Sequence, residues 1–374
     1  MAISTVDDAK LRAWWSHKQG LDGSLAGSSA AQVLARAGWA RSVGGVGPYL
    51  TLFTRAGIAR AAADTAVAAL EIAELPSARG CTYVLPAEDF ALGLTVGGGN
   101  NGDLRTAEKL GASPAEIETL CRGVIAALDG RALDPDGLRA ALGDRVRDFG
   151  AEGRKRGMIT SLPVALGILQ IAGEIRRIPI NGRLDQQRYR YVRWAPNPLA
   201  GAMSRADALA ALARRFFTWI GPARLEDFRA FAGLGVAAAT DALAALNLQP
   251  LVPGDDLLLL PEDREAWTAF EQPRAPQYAL ISSLDALVAL RRDPRELQSH
   301  AIVDRGRLIG RWDYDVETES IAWSTGVVAD AELRAAVAST ETYVRDQLGD
   351  ARTFSLDSPK SRAPRIAALR AARP

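Results

Sequence analysis

The sequence predicts a mainly α chain with short β-hairpins, an α+β class, and three observations support it. Apolar residues recur at helical spacing behind serine caps. Strand-like runs are brief and flank turn dipeptides such as Asn181-Gly182 and Pro253-Gly254. The order helix, helix, hairpin then recurs along the chain. At 374 residues with 48% apolar composition, the chain is long enough for several domains with real cores.

Near the N-terminus, AKLRAWWSHKQGL and SSAAQVLARAGW predict two helices, the second capped by Ser28 or Ser29. The stretch GWARSVGGVG follows, with glycines at positions 44, 45 and 47, and then a helical YLTLFTRAG. Glycines there let another backbone, or a nucleic-acid strand, come close. A plain helix-to-helix turn explains them equally well. The strand TYVLP has no well-defined partner in this reading.

The segment Ser161 to Trp194 is the most informative. Ser161 caps a helix with Pro163 in its first turn, an apolar face follows, and Gly173 stops it. IRRIPI and QQRYRYVRW then flank Asn181-Gly182, the dipeptide that most readily accepts a type I′ turn. A helix followed by a basic two-stranded ribbon is the winged-helix pattern. It repeats in SRADALAALARRFFTW, LEDFRAFAG and VAAATDALAAL, three helices ahead of a hairpin turning at Pro253-Gly254. Ala301 to Gly326 reads as short strands joined at Arg305-Gly306 and around Glu317-Thr318.

The expected organisation is therefore an N-terminal winged-helix-like domain (1–125), a central winged helix with a basic wing (126–200) and a second clear one (201–270). A β-rich module (271–350) and a basic tail (351–374), expected to fray, complete it.

Composition removes many chemistries. Only His17 and His300 are present, so histidine triads and multi-histidine metal sites would each have to use one of them. Cys81 and Cys121 match no zinc spacing, and no metal or cofactor is implied. The acidic N-terminus and the lack of a long apolar run lead us to expect a cytoplasmic, nucleoid-associated protein.

Net charge is +1, but Arg154 to Arg193 carries nine bases against two acids. Arg176, Arg177, Arg183, Arg188, Arg190 and Arg193 fall on the ribbon with Tyr189 and Tyr191 interleaved. Arginine pairs bidentately with phosphate, so this ribbon is a candidate DNA-binding wing; a solvated basic face is the plainer alternative. Arg305 and Arg307, at a hairpin tip, are a second candidate for probing a groove.

GGGNNG, Gly97 to Gly102, matches a dinucleotide motif only formally, because FALGLTV is a mediocre strand and no β-α-β alternation follows. Asp255-Asp256 and Glu262-Asp263 suit a solvated turn, and Asp313 and Asp315 are expected to be exposed. Trp14, Trp15, Phe216, Phe217 and Trp219 have core spacing.

LRAWWSHKQGLDG, ARGCTYVLPAEDF, FFTWIGPARLEDFRAFAGL and VDRGRLIGRW, taken in order, resemble the winged-helix DNA-binding family that contains the AlkZ-like and YcaQ-like interstrand-crosslink DNA glycosylases. That resemblance covers most of the chain. It implies tandem winged helices around a concave surface for double-stranded DNA, and hydrolysis of the N-glycosidic bond of alkylated or crosslinked bases without a cofactor. It also implies a Gln-apolar-Gln or Gln-apolar-Asp triplet before the helix containing Arg55, which resembles the family arginine. Here that place holds Ser42-Val43-Gly44, so both polar catalytic side chains are missing. The family histidine is replaced by Tyr83, with Asp89 and Arg79 matched nearby. Asp89, with a water held by Ser42 or by backbone at Gly44, is the expected chemistry. The alternative is a non-catalytic DNA-binding protein, a transcription regulator or lesion-binding module.

Overall fold

A computed structural model describes residues 7–99, 102–201, 203–289 and 299–372. It begins with α1 (Asp8–Lys18), whose Asp7 cap accepts from the Ala9 and Lys10 amides, and α2 (Ala30–Ala37), started by a Ser29/Gln32 capping box. A two-residue strand, β1 (Ala40–Arg41), leads through the glycine stretch into α3 (Gly47–Ala56) and α4 (Arg60–Ala68). TYVLP finds two partners. It is β3 (Thr82–Pro86), central in an antiparallel sheet of order β1-β3-β2, where β2 is Ile72–Pro76.

FALGLTV is helical rather than extended, as α5 (Phe90–Gly97). Nearly all of it is buried, and a short run that is apolar all round has no periodicity to separate helix from strand. The helix α6 (Gly102–Lys109) follows, so the glycine motif joins two helices and has no strand before it; Asn100 and Asn101 lie outside the described residues.

Next come α7 (Pro114–Ala127), α8 (Pro135–Leu142), α9 (Gly150–Lys155) and α10 (Leu162–Ile171). Ser161 precedes α10 but its hydroxyl accepts from the Arg147 amide rather than capping the helix. The ribbon forms as β4 (Ile175–Pro179) against β5 (Tyr189–Arg193). Its connection runs through residues 180–188 and is not the expected two-residue turn at Asn181-Gly182. Leu184 in this loop is fully buried in a core built from other segments, and its amide donates to the Tyr49 hydroxyl at 2.9 Å, which draws the loop inward.

Three helices, α11 (Arg205–Ile220), α12 (Leu225–Ala232) and α13 (Val236–Leu243), precede a hairpin of β6 (Gln249–Pro250) and β7 (Leu258–Leu259). It turns at Pro253-Gly254, with Gly254 at a φ of +86°. A short α14 (Arg264–Ala269) leads to β8 (Tyr278–Ile281) and α15 (Ala286–Ala289). The β-rich module is an antiparallel sheet of order β11-β10-β9-β8, with β9 at His300–Asp304, β10 at Arg307–Asp315 and β11 at Ser320–Thr325. Arg305 and Gly306 have φ of +45° and +74°, the signature of a type I′ turn.

The chain ends in α16 (Ala331–Tyr343) and α17 (Pro359–Ala371). The tail is therefore a docked helix, not a frayed terminus: Ile366 and Leu369 pack with Ala322, and Arg362 is fully buried against Asp350 at 2.7 Å. Asp313 and Asp315, expected to be exposed, are buried beneath it, paired with Arg365 and Arg370.

Packing does not follow the expected segments. One core joins α2, α3 and α4 to the four-stranded sheet and α16, so the first and fourth segments share an interior. A second core buries Phe216, Phe217 and Trp219 of α11 against α5 and the other face of the three-stranded sheet. A third gathers α7, α8, α10 and Ile175 of β4; α7 spans residue 125, the first expected boundary. Trp14 is buried, while Trp15 is half-buried and donates to the Pro222 carbonyl at 3.0 Å. No single helix among the described residues is long and apolar enough to cross a membrane.

Candidate active site

The stretch Ser42 to Val46 leaves the end of β1 and enters α3. The Ser42 amide donates to Thr82 of β3 at 3.0 Å, which holds the residue on the sheet, and its side chain is buried. Gly44 has a φ of +76°, a left-handed conformation that disfavours any side chain. A Cβ on Gly45 would lie 2.1 Å from the Thr353 carbonyl oxygen, and one on Gly44 would lie 2.7 Å from Gln187 Cγ. The Val46 amide donates to Arg352 at 3.0 Å and the Ser355 amide to Val43 at 3.1 Å. The glycines thus admit the chain's own segment 352–355. A backbone does come close, and it belongs to the protein.

The Ser42 hydroxyl donates to the carboxylate of Glu74, a residue the sequence reading did not single out. Alternation along β2 puts Ile72 and Glu74 on one face and Ala73 and Leu75 on the other. Glu74 is therefore a carboxylate among apolar neighbours, only 6% exposed, and needs compensation. Arg177 of β4 provides it, with Nη2 3.2 Å from Oε2 and the guanidinium 4.4 Å over the Tyr189 ring. Burial works against charge on Arg177, but Glu74 and the tyrosines Tyr189 and Tyr191 hold its pKa above the ordinary value. Burial likewise pushes the Tyr189 hydroxyl up.

Among the described residues Arg177 Nε is buried without a hydrogen-bond partner, and Glu74 Oε2 is compensated by the Arg177 guanidinium with the Tyr189 hydroxyl close by. Such an incomplete polar cluster is costly in an apolar interior and is found where chemistry needs it. Arg177 also faces a 170 Å³ cavity bordered by Pro76, Thr82, Gly167 and Gln170. The signal that could have found Glu74 is its place in IAELP, one acid at an inward position of an apolar strand.

Asp89 sits elsewhere in the hydrogen-bond pattern. Its Oδ2 accepts from the Trp39 indole at 2.8 Å and its Oδ1 from Arg215 at 2.9 Å. Burial pushes its carboxyl above the usual range, against the lowering effect of both partners. Among the described residues no hydrogen bond or ion pair joins Asp89 to Ser42. Arg55 is also internal: its guanidinium pairs with Asp285 through two contacts of 2.8 and 2.9 Å and reaches Gln19 at 2.8 Å, all three buried. That network ties α1 and α3 to the segment after β8.

The basic ribbon divides. Arg188 and Arg190 are exposed and, among the described residues, make no ion pair. Arg193 is exposed and 3.4 Å from Glu174, and Arg176 is half-buried with its pKa lowered by burial. Arg177 and Arg183, expected to project outward, do not. Arg177 turns to Glu74, and Arg183 pairs with Asp185 at 2.9 Å and with the Leu348 carbonyl at 2.9 Å, because both lie where the ribbon meets other segments.

The Arg305-Gly306 turn is not a free probe either. A Cβ on Gly306 would lie 2.1 Å from the Arg12 carbonyl oxygen of α1, and Arg305 is held by Asp304 at 2.7 Å and by the Pro273 carbonyl at 3.0 Å; Arg307 is exposed.

His300 is fully buried, with Nδ1 accepting from the Ser283 amide at 3.1 Å and Nε2 donating to the Ala351 carbonyl at 2.6 Å, while His17 is exposed beside Asp22. Cys81 and Cys121 are free and half-buried.

The model of the AlkZ-like DNA glycosylases matches residues 46–354, a span that begins just after Ser42 and Gly44. No curated protein sequence matches. A solved structure, the Streptomyces sahachiroi DNA glycosylase AlkZ, superposes with a TM-score of 0.69 at 18% identity, covering 92% of this chain and 98% of that one. It carries the same fold. On the extent of the family match, this chain belongs to the AlkZ-like DNA glycosylase family.

Proposed function

We propose that this chain binds duplex DNA bearing an alkylated or crosslinked base and hydrolyses its N-glycosidic bond, with Glu74 as the carboxylate and Ser42 as the group that orients it. The observation that carries this reading is the hydrogen bond from Ser42, the first position of the altered triplet, to the buried Glu74. The resemblance implies a polar triplet where Ser42-Val43-Gly44 stands, and the Ser42–Glu74 contact supports reading this pair as its functional substitute. Glu74 Oε2, which is held by the Arg177 ion pair at 3.2 Å, can accept a proton from an attacking water or lie against positive charge developing on the sugar. Asp89 is the other candidate carboxylate; Arg215 and Trp39 hold its two oxygens as Arg177 and Ser42 hold those of Glu74, but among the described residues no hydrogen bond ties Asp89 to Ser42.

In this reading the units that end in β4–β5 and β6–β7 act as winged helices. Arg188, Arg190 and Arg193, with Arg176 behind them, meet phosphates from the first wing, and Arg307 meets them from the β-rich module. A second reading, a DNA-binding relative without catalysis, is favoured by one observation: segment 352–355 covers Gly44 and Gly45.

The test uses purified protein and a duplex carrying N7-methylguanine, scored for abasic sites against the spontaneous rate, with binding followed as salt is raised. Release above background is the expected result. Salt-sensitive binding without release supports the second reading, and absence of both contradicts the two together.

A further inference from the structure

The turn formed by residues 353–358 holds apolar side chains in solvent. Leu356 is 83% exposed and Phe354 43% exposed, and Phe354 is the one aromatic among the exposed large apolar side chains of the described residues. Single exposed apolar residues are ordinary, but these two lie on one turn that is fastened at several points. The Thr353 amide donates to the Asp357 carboxylate at 3.0 Å, and the Asp357 amide to the Phe354 carbonyl at 3.0 Å. Ser355 is tied to Val43, and Arg365 binds Asp357 from below at 3.1 Å. The one acid in the turn is therefore buried and neutralised, while the apolar side chains face outward.

The surroundings are basic. Ser355 Cβ and Gln187 Cγ both lie within 3.0 Å of the same point above Gly44, so the turn and the ribbon loop meet over the altered triplet. Arg188 follows Gln187 directly, Arg190 is exposed two residues on, and Lys360 is exposed four residues after Leu356. Apolar side chains on a fastened turn, with bases that make no ion pair among the described residues close by in sequence, match what duplex DNA requires of a wedge, in which an apolar group enters a base step while cations hold the adjacent phosphates.

We infer that Leu356 and Phe354 form a wedge that enters a base step of duplex DNA beside the Ser42–Gly45 stretch, unstacking it and holding open the space left by a displaced base. This inference rests on the duplex-DNA binding proposed above.

The probe is a duplex with 2-aminopurine spaced through one strand, whose fluorescence rises when its base unstacks, and binding is followed separately by anisotropy. Wild-type protein is expected to raise the fluorescence several-fold at saturation. Leu356→Ser combined with Phe354→Ala is expected to abolish that rise while weakening binding by no more than about tenfold, because the arginines still hold phosphate. Leu356→Met, which keeps the apolar bulk, is expected to retain it. Leu356 is so exposed that its replacement leaves packing intact, and the thermal midpoint of each variant verifies this. Wild-type binding without any rise, or an equal rise with the double variant, overturns the wedge and leaves DNA binding standing. Failure of wild-type protein to bind at any salt concentration overturns the functional reading itself.

Discussion

His300 shows how a single side chain couples this fold to pH. Burial holds its imidazole below the usual value, only partly opposed by Asp313, so the folded protein keeps the ring neutral while donating to Ala351 and accepting at Ser283. The unfolded chain takes up a proton near its ordinary value of about 6.5, and below that pH it binds more protons than the folded chain. Stability contributed by this residue is therefore complete above about pH 6.5 and declines as pH falls below it, by at most about 1.4 kcal/mol per unit. Urea unfolding between about pH 7.5 and 5.5 is expected to show this decline, with a flatter profile for His300→Gln. The sequence showed that histidine was scarce, but it held no sign of which histidine lies inside. Glu74 was hidden for a related reason: one acid in a five-residue strand looks like a polar face until Arg177, about a hundred residues away, is placed beside it.

At the scale of elements, two serine caps were legible because capping is local: Ser29 and Ser204 each accept from the amide three residues on, whereas Ser161, expected to cap α10, takes the Arg147 amide instead. The turns at Pro253-Gly254 and Arg305-Gly306 were legible for the same reason. The nature of α5 was not, since a short run that is apolar all round takes its conformation from tertiary packing. Nor was α17, which has only Ile366 and Leu369 as bulky apolar anchors and docks largely through arginines, with Arg362 and Arg365 reaching Asp350, Asp313 and Asp357. Deleting residues 359–374 removes those two anchors and the burial they contribute, each worth about 1.5–3 kcal/mol, uncovers Ala322, and leaves Asp313 beside His300 without the Arg365 cation. A drop in thermal midpoint of several degrees is expected by circular dichroism. An unchanged midpoint would restore the picture of a solvated tail.

Across the whole molecule, the sequence grammar located helices and hairpins without showing how they interlock. The N-terminal helices share a core with the β-rich module, and Arg55 bridges them through Gln19 and Asp285. Such long-range partners leave no periodic trace. The same interlocking brings segment 352–355 and the ribbon loop over Gly44 and Gly45, and Glu74 lies where the Ser42 hydroxyl reaches it. Single-turnover release of N7-methylguanine from a duplex, compared among wild-type protein, Glu74→Gln and Asp89→Asn, tests this arrangement most directly. The account predicts a loss of at least about a hundredfold for Glu74→Gln and a rate within about tenfold of wild type for Asp89→Asn. Release by Glu74→Gln at the wild-type rate would contradict it.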